Sequence, residues 1–278
     1  MDAIGVSCYS SRDLIHWRNE GLVLQAVRDG HASDLHPSKV MERPKVIYNA
    51  RTGQFVMWLH VDTADYTYAR AGVAVSDRPA GPYRYLGSMR PLCAESRDMT
   101  VFKDDNGSAY LIHSSEGNAT LRIVPLSDDY LRPSGEFTTA SRGRYREAPA
   151  VFKHDKIYFM FTSGCTGWAP NAAEYATAPS PAGPWRARGN PCVGTEEEKA
   201  STFGVQSAFV LPVANSPGKF IFMADRWNAE ELGDSRYVWL PLEIDGDNLR
   251  IRWYDEWDLE LFTIPRLQNG IEQFFNRI

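Results

Sequence analysis

Short apolar runs alternate with turn residues along the chain, and one arrangement of them occurs four times. Each copy has a polar residue, a short apolar run, a turn, and a second apolar run rich in aromatic side chains. The copies span residues 42–60, 98–115, 147–164 and 206–227. Runs of this length separated by Gly, Asn, Asp and Pro predict β-strands joined by hairpins.

Two further strands follow the first pair. Residues 71–86 and 173–188 share the pattern A-x-[SA]-x-x-P-A-G-P-[YW], which ends one strand and leads into the next. The repeats are 55, 50 and 59 residues apart when they are aligned on Val46, Val101, Val151 and Val210. A period of about 50 residues with four short strands is typical of a β-propeller blade. The sequence therefore predicts an all-β fold.

The repeats predict a five-bladed β-propeller with an incomplete first blade. Residues 6–24 have the pattern of the outer two strands of a blade only, and the segments after the fourth repeat supply the outer strands of the last blade. We expect a propeller domain over residues 1–262 and a tail over 263–278 that forms a short helix. A monomer is expected, with closure as a four-bladed ring or pairing of two chains through the incomplete blade as alternatives.

The polar residue that opens each repeat, called its headgroup here, is Glu42, Asp98, Glu147 or Gln206. The innermost strand of each blade lines the channel of a propeller, so the headgroups are expected to converge at one end. Asp98 lies three residues before its valine, whereas the others lie four residues before theirs. That difference would turn Asp98 to the opposite face unless a bulge restores the register.

The composition of the 278-residue chain excludes some partners. Apolar residues make up 43% and aromatic residues 12%, which is enough for a packed core and for sugar-binding aromatic surfaces. A net charge of -5 argues against a nucleic-acid partner, which requires a basic face. No apolar run approaches the ~20 residues of a membrane span, so no membrane partner is expected.

The cysteines and the first residues give little direction. Cys8, Cys93, Cys165 and Cys192 form no CxxC pair, so a zinc site is not expected, while one disulfide stays open. The start of the chain lacks the basic segment and apolar core of a signal peptide. That predicts either an intracellular protein or a chain that begins after such a segment, and the location stays undecided.

Carboxylates crowded at one end of a channel raise one another's pKa, because like charges resist joint ionisation. One carboxyl group can then stay protonated near neutral pH beside an ionised neighbour. Cleavage of a glycosidic bond requires such a proton donor together with a group that activates water. The alternative is that the headgroups only tie blades together by accepting backbone N–H groups.

Longer motifs resemble a known family. SRDMTVF, YREAPAVF, SGCTGWAPN and the blade-ending AGPW resemble glycoside hydrolase family 43. HPSKVMERPKVIYN and SGCTGWAPNAAEYATA are similar to its branch of exo-β-1,3-galactanases. The resemblance covers roughly residues 5–262. It implies an inverting hydrolase that releases galactose from β-1,3-galactan, the backbone of arabinogalactan, and a secreted or periplasmic location if the chain begins after a removed segment.

The resemblance also implies a role for each headgroup. Glu147 matches the general acid, and Asp98 matches the carboxylate that raises the pKa of the acid and orients it. The usual base lies on an inner strand of the first blade that this sequence does not show, and the branch implies that Gln206 handles water instead. Glu42 matches a residue that binds the sugar in the −1 subsite. Inversion requires acid and water-activating groups about 6.5–9.5 Å apart.

Loops after the hairpins supply substrate-binding candidates. Trp168 is expected to stack on a sugar, with core packing as the alternative. The polar side chains expected to reach sugar hydroxyls are Tyr66, Asn118, Thr166, Asn171 and Asp225. For Asp225, a structural ion pair with Arg226 is the alternative.

No cofactor and no catalytic metal are expected. Some family members hold a structural Ca²⁺ ion, but the sequence shows no dedicated loop of oxygen ligands. His36 and His60 are lone histidines, and we predict surface or core positions for them rather than metal ligation.

Two other functions stay open. The same fold supports other family 43 activities, namely α-L-arabinofuranosidase, β-xylosidase and β-galactofuranosidase. The incomplete first blade also permits a catalytically impaired propeller that only binds carbohydrate.

Overall fold

The computed structural model describes residues 3–30 and 33–262, and almost all of their regular structure is β-strand. The predicted bounds of the propeller domain, residues 1–262, stay a prediction, and the predicted tail over 263–278 lies outside the described residues. Within the described residues, no helix is long and apolar enough to span a membrane, and all four cysteines are free.

The strands form five sheets in chain order. One strand pair consists of β1 (Gly5–Ser11) and β2 (Trp17–Gln25). Blade A consists of β3 (Val40–Asn49), β4 (Gln54–Asp62), β5 (Arg70–Ser76) and β6 (Arg84–Met89). Blade B consists of β7 (Met99–Lys103), β8 (Ala109–Ser115), β9 (Thr120–Pro125) and β10 (Thr138–Arg142).

The last two sheets follow the same order. Blade C consists of β11 (Arg146–His154), β12 (Ile157–Gly164), β13 (Glu174–Ala178) and β14 (Arg186–Gly189). Blade D consists of β15 (Cys192–Val193), β16 (Gln206–Pro212), β17 (Phe220–Arg226), β18 (Arg236–Asp245) and β19 (Asn248–Arg252). The helix α1 (Glu196–Ser201) precedes β16, and short 3-10 turns lie at Pro91–Cys93, Thr202–Gly204, Leu232–Asp234 and Leu259–Phe262.

The blades are arranged around a channel. Strand β7 packs between β3 and β11, and β11 packs against β16. The pair β1–β2 lies between blades D and A: Trp17 contacts Trp239 of β18 with ring centroids 5.3 Å apart, and Val23 packs with Met57 and Leu59 of β4. The prediction of an all-β propeller is therefore confirmed. In the described residues the propeller has four full blades rather than five, with β1–β2 as an additional strand pair.

Apolar layers between neighbouring blades hold the ring together. Between blades C and D, Phe161 and Phe222 are fully buried, and their ring centroids lie 4.9 Å apart. Between blades A and B, Trp58 is fully buried, and its indole N–H donates to the carbonyl oxygen of Tyr130 at 2.9 Å. Burial of one large apolar side chain contributes about 1.5–3 kcal/mol. The stacking of blades, rather than any single sheet, therefore stabilises the ring.

Bulges explain the unequal spacing of the headgroups. The pairing of β3, β11 and β16 with their neighbours shifts register just after Glu42, Glu147 and Gln206. Strand β7 pairs with β8 without a shift. A bulge adds one residue to a strand, so Asp98 reaches the same face with one residue fewer before its valine.

Candidate active site

One end of the channel opens into a cavity of about 610 Å³, a volume typical of small-molecule sites. All four headgroups line this cavity. Four of the other predicted side chains line it as well, namely Tyr66, Asn118, Trp168 and Asp225. The first strands of the blades thus bring side chains that are far apart in sequence to one site.

Arg43 lies at the centre of the headgroups. Its side chain is 8% exposed. Its Nε and Nη2 atoms donate to the two carboxylate oxygens of Asp98, both at 3.0 Å. It also donates to Gln206 at 2.5 Å and to Asp225 at 3.2 Å. The guanidinium of blade A therefore connects blades B and D through charge-assisted hydrogen bonds.

The bulge of β3 directs Arg43 into the channel. The backbone of Arg43 has a φ of 52°, and that of Ala148 in blade C has a φ of 51°. Left-handed backbone is uncommon for residues other than glycine, and it concentrates at functional sites. The segments ERPKV (42–46) and EAPAV (147–151) align, so Arg43 stands where blade C has alanine. That mismatch within a repeat was the available sequence signal for Arg43, and our sequence analysis missed it.

Asp98 is held in its ionised form. Burial alone would raise the pKa of its carboxyl group, but the charge and hydrogen bonds of Arg43 outweigh burial and lower the pKa below its ordinary value. Oδ2 of Asp98 also accepts the backbone N–H of Ala148 at 2.9 Å. Asp98 therefore presents a fixed negative charge next to Glu147, the residue that precedes Ala148.

The pKa of the Glu147 carboxyl group lies near neutral pH. Burial, followed by the negative charge of Asp98, raises the pKa of Glu147 from its ordinary value to about 7. Its Oε1 accepts a hydrogen bond from Gln206 at 3.0 Å, and its Oε2 accepts one from Asn118 at 3.3 Å. Two neighbouring carboxyl groups whose pKa values are pushed apart are the arrangement that assigns an acid in catalysis.

The amide of Gln206 is fixed by four partners. Nε2 donates to Glu147 at 3.0 Å and to Ser163 at 2.9 Å. Oε1 accepts from Arg43 at 2.5 Å and from Trp227 at 2.9 Å. Glu147 and Gln206 are therefore hydrogen bonded and do not show the separation of about 6.5–9.5 Å that an inverting pair requires. In this structure the amide of Gln206 holds one carboxylate oxygen of Glu147.

Both carboxylate oxygens of Glu42 accept hydrogen bonds. The Tyr66 hydroxyl donates to Oε1 at 2.8 Å, and Nδ1 of His60 lies 3.2 Å from Oε2. The side chain of Glu42 is still 27% exposed. Its remaining lone pairs therefore face the cavity, where they can accept a hydrogen bond from a hydroxyl group.

Two tryptophans form one wall of the cavity. The ring centroids of Trp168 and Trp227 lie 5.1 Å apart, with an angle of 64° between the planes. Trp168 is 36% exposed, so the ring is not a pure core residue. An exposed aromatic face beside polar groups suits a ligand with both apolar and hydrogen-bonding surfaces.

Thr166 and Asn171 bond within their own loop. Asn171 accepts the backbone N–H of Gly164 at 2.7 Å and donates to Thr166 Oγ1 at 2.6 Å. Thr166 Oγ1 donates to the carbonyl oxygen of Ala169 at 2.6 Å. The two side chains shape the loop that carries Trp168, and neither lines the main cavity. Asn171 lines a smaller pocket beside Trp168 and Gln206, and direct contact of the two side chains with a sugar stays a prediction.

Lys45 is a further cavity residue that the sequence analysis passed over. Burial and the charge of Arg43 lower its pKa to about 8, although Asp225 and Asp98 act in the opposite direction. Other lining residues that were not predicted are Arg97, Trp227 and Tyr237. Arg97 and Trp227 lie just outside strands and Tyr237 lies on β18, and the repeat pattern did not single out any of them.

The residues of the site fit a network of ion pairs better than a metal centre. Donor atoms of Glu42, His60 and Asp98 lie within 4.8 Å of one another. The oxygens of Asp98 accept from Arg43, and both nitrogens of His60 face carboxylates. A cation at this position would compete with a guanidinium and a histidine for the same oxygens.

Solved structures resemble most of the chain. A GH43 β-1,3-galactosidase designated BT0265 is 40% identical with a TM-score of 0.90, over 94% of this chain and 56% of that one. A second GH43 β-1,3-galactosidase, with galactodeoxynojirimycin, is 43% identical with a TM-score of 0.86, over 91% of this chain and 87% of that one. The exo-β-1,3-galactanase of Phanerochaete chrysosporium, with galactose, is 37% identical with a TM-score of 0.82, over 90% of this chain and 56% of that one.

A relative named as a β-D-galactofuranosidase and a family profile complete the comparison. The β-D-galactofuranosidase xynD of Aspergillus niger is 29% identical over an alignment of 214 positions, which covers 70% of this chain and 61% of that protein. The chain thus spans less than two thirds of the length of this relative and of BT0265. The profile of the glycosyl hydrolases family 43 matches residues 2–223, and the chain belongs to that family.

Proposed function

We propose that this protein is an exo-acting β-1,3-galactosidase that cleaves β-1,3-galactan with inversion at the anomeric carbon. The solved structures that it resembles at 37–43% identity carry the names β-1,3-galactosidase or exo-β-1,3-galactanase. One of them holds galactose in the crystal. The four headgroups and the exposed tryptophan of this chain supply the chemistry that such a substrate needs.

The single observation that carries the proposal is that Glu147 and Asp98 are neighbouring carboxyl groups whose pKa values are shifted in opposite directions. A buried carboxyl group with a pKa of about 7 can be protonated at the pH where its neighbour is ionised. Glu147 then protonates the oxygen of the leaving group, and Asp98 keeps that proton available by its negative charge. Arg43 keeps Asp98 ionised and in place.

Glu42 and Gln206 complete the proposed assignment. Glu42 accepts a hydrogen bond from a hydroxyl group of the terminal galactose, and this contact fixes the sugar relative to Glu147. Gln206 handles water in the proposed mechanism. Inversion requires about 6.5–9.5 Å between the two functions, so substrate binding must replace the hydrogen bond between Gln206 and Glu147. Trp168 packs against the ring of a sugar residue.

We further propose that β1–β2 is the outer half of a fifth blade. The aligned valines of blades B, C and D are buried, with exposures of 5%, 8% and 2%, whereas Val46 of blade A is 43% exposed. Phe209 on the inner strand of blade D is 37% exposed. Val46 and Phe209 thus lie on β3 and β16, the inner strands of the two blades that flank the β1–β2 pair. Light scattering on the purified protein is expected to give a monomer, and a dimer would indicate pairing through this edge.

A substrate panel tests the activity. β-1,3-galactobiose, β-1,3-galactotriose and aryl glycosides of galactopyranose, galactofuranose, arabinofuranose and xylose are incubated with the enzyme, and released sugars are separated by chromatography. We expect galactose from the β-1,3-linked substrates. Release of arabinose or xylose instead would overturn the assignment, and binding of galactan without hydrolysis would indicate a carbohydrate-binding propeller.

β-D-galactofuranosidase activity is the second candidate, because a protein of that name is 29% identical over 70% of the chain. The same panel separates the two activities. Release of galactose only from aryl galactofuranoside would favour the second candidate.

A further inference from the structure

Two buried histidines lie on the second strands of neighbouring blades but in opposite surroundings. His60 on β4 is 1% exposed and His113 on β8 is fully buried. Nε2 of His113 has no hydrogen-bond partner among the described residues, and its Nδ1 lies 3.4 Å from the carbonyl oxygen of Ser114. Burial lowers the pKa of His113 to about 4. His113 is therefore neutral near pH 7.

His60 has a carboxylate at each ring nitrogen. Nδ1 lies 3.2 Å from Oε2 of Glu42, and Nε2 lies 2.8 Å from Oδ2 of Asp62. An ionised carboxylate only accepts hydrogen bonds, so both contacts are satisfied only when both ring nitrogens carry a proton. Burial alone would lower the pKa of His60, but Asp62, Glu42 and the more distant Asp98 raise it to about 9.

Asp62 connects this histidine to the loop that follows β4. Its other oxygen, Oδ1, accepts the backbone N–H groups of Thr63, Tyr68 and Ala69, each at 2.9 Å. The same loop carries Tyr66, whose hydroxyl donates to Glu42 at 2.8 Å. Glu42 is therefore held at Oε2 by His60 and at Oε1 by Tyr66.

We infer that His60 and Asp62 are positioning residues that orient the carboxylate of Glu42, so that both of its oxygens act as hydrogen-bond acceptors. The site then demands a hydroxyl donor from the sugar at this point, which makes the pair a determinant of substrate binding. The assignment of a sugar to Glu42 rests on the proposed function, whereas the charge state of His60 does not.

Nuclear magnetic resonance of the 15N-histidine-labelled protein tests the charge state directly. The chain has six histidines, and His60→Gln and His113→Gln variants assign the two buried ones. At pH 7 we expect a proton on both ring nitrogens of His60 and on only one of His113. A His60 ring with one unprotonated nitrogen at pH 7 overturns the inference, whether or not the protein hydrolyses galactan.

Kinetics on β-1,3-galactobiose test the positioning role. We expect His60→Gln to raise KM with a smaller change in kcat, because Glu42 contacts the sugar in both ground and transition states. The expected loss in kcat/KM is up to about 100-fold, as for a displaced contact in a preorganised site. The matched control His113→Gln removes an equally buried histidine and should leave KM unchanged.

A double-mutant cycle separates positioning from a general loss of stability. If His60 acts through Glu42, adding His60→Gln to Glu42→Gln should change KM little beyond the single Glu42→Gln variant. Independent, additive effects of the two substitutions on KM would contradict the inference. An inactive parent enzyme would refute the proposed function, and the nuclear magnetic resonance result would still decide the charge state of His60.

Discussion

Replacement of Arg43 by methionine should destabilise the protein strongly, because two largely buried carboxylates lose the cation to which they are hydrogen bonded, although the charge of Lys45 remains near them. The side chains of Asp98 and Asp225 are only 14% and 16% exposed, and both lose a hydrogen bond to the guanidinium. Loss of one partner of a buried ion pair costs about 3–5 kcal/mol. With a urea dependence of about 3 kcal/mol/M, the unfolding midpoint should fall by about 1 M or more.

The assay is urea unfolding at pH 7, followed by tryptophan fluorescence and circular dichroism. The matched control is Arg51→Met, since Arg51 pairs with Asp128 at the surface, where the side chains are 71% and 84% exposed. An exposed pair contributes about 0–1 kcal/mol, so this variant should unfold close to the parent.

A rescue variant shows whether unpaired charge is the cause. Adding Asp98→Asn and Asp225→Asn to Arg43→Met neutralises the stranded carboxylates and should recover part of the lost stability. Equal unfolding midpoints for Arg43→Met and Arg51→Met would refute the reasoning about the central ion network, whatever the catalytic result.

Three further outcomes follow from the site. The kcat/KM value should fall as the pH rises through about 7, because Glu147 must be protonated to act as an acid. In a pH–rate profile, Asp98→Asn should move this fall to lower pH, since the substitution removes a negative charge that raises the pKa of Glu147. Trp168→Ala should raise KM about 3- to 10-fold in steady-state kinetics with little change in kcat, as expected for a lost aromatic contact of about 0.5–1.5 kcal/mol. Asn171→Ala should also raise KM, because it releases the loop that carries Trp168, and it should lower the thermal unfolding temperature, which Trp168→Ala should change less.

The repeat made the blades and the headgroups predictable. The four copies predicted where the inner strands begin, and the structure brings Glu42, Asp98, Glu147 and Gln206 to one cavity. The spacing conflict at Asp98 could be seen in the sequence, but its resolution by bulges in three other blades could not. A bulge depends on pairing with the neighbouring strand, which the pattern of one strand does not contain.

The parts that were missed depend on side-chain direction. Arg43 reaches Asp98 only because its backbone is left-handed, and a propensity argument assigns that conformation to glycine. Thr166 and Asn171 were expected to reach the sugar because of the position of their loop. In the structure their side chains form hydrogen bonds within the loop itself. Loops with local hydrogen bonds of this kind are poorly predicted from composition, because the same polar residues suit ligand binding equally well.

Hydrolysis of β-1,3-galactotriose by the parent enzyme and by Glu147→Gln, followed by proton nuclear magnetic resonance, tests the central claim most directly. Glu136→Gln, at an exposed glutamate outside the cavity, serves as the control. We predict that the parent and the control release galactose first as the α-anomer, and that Glu147→Gln releases none. Parent-like release by Glu147→Gln, or initial release of the β-anomer by the parent, would contradict the account.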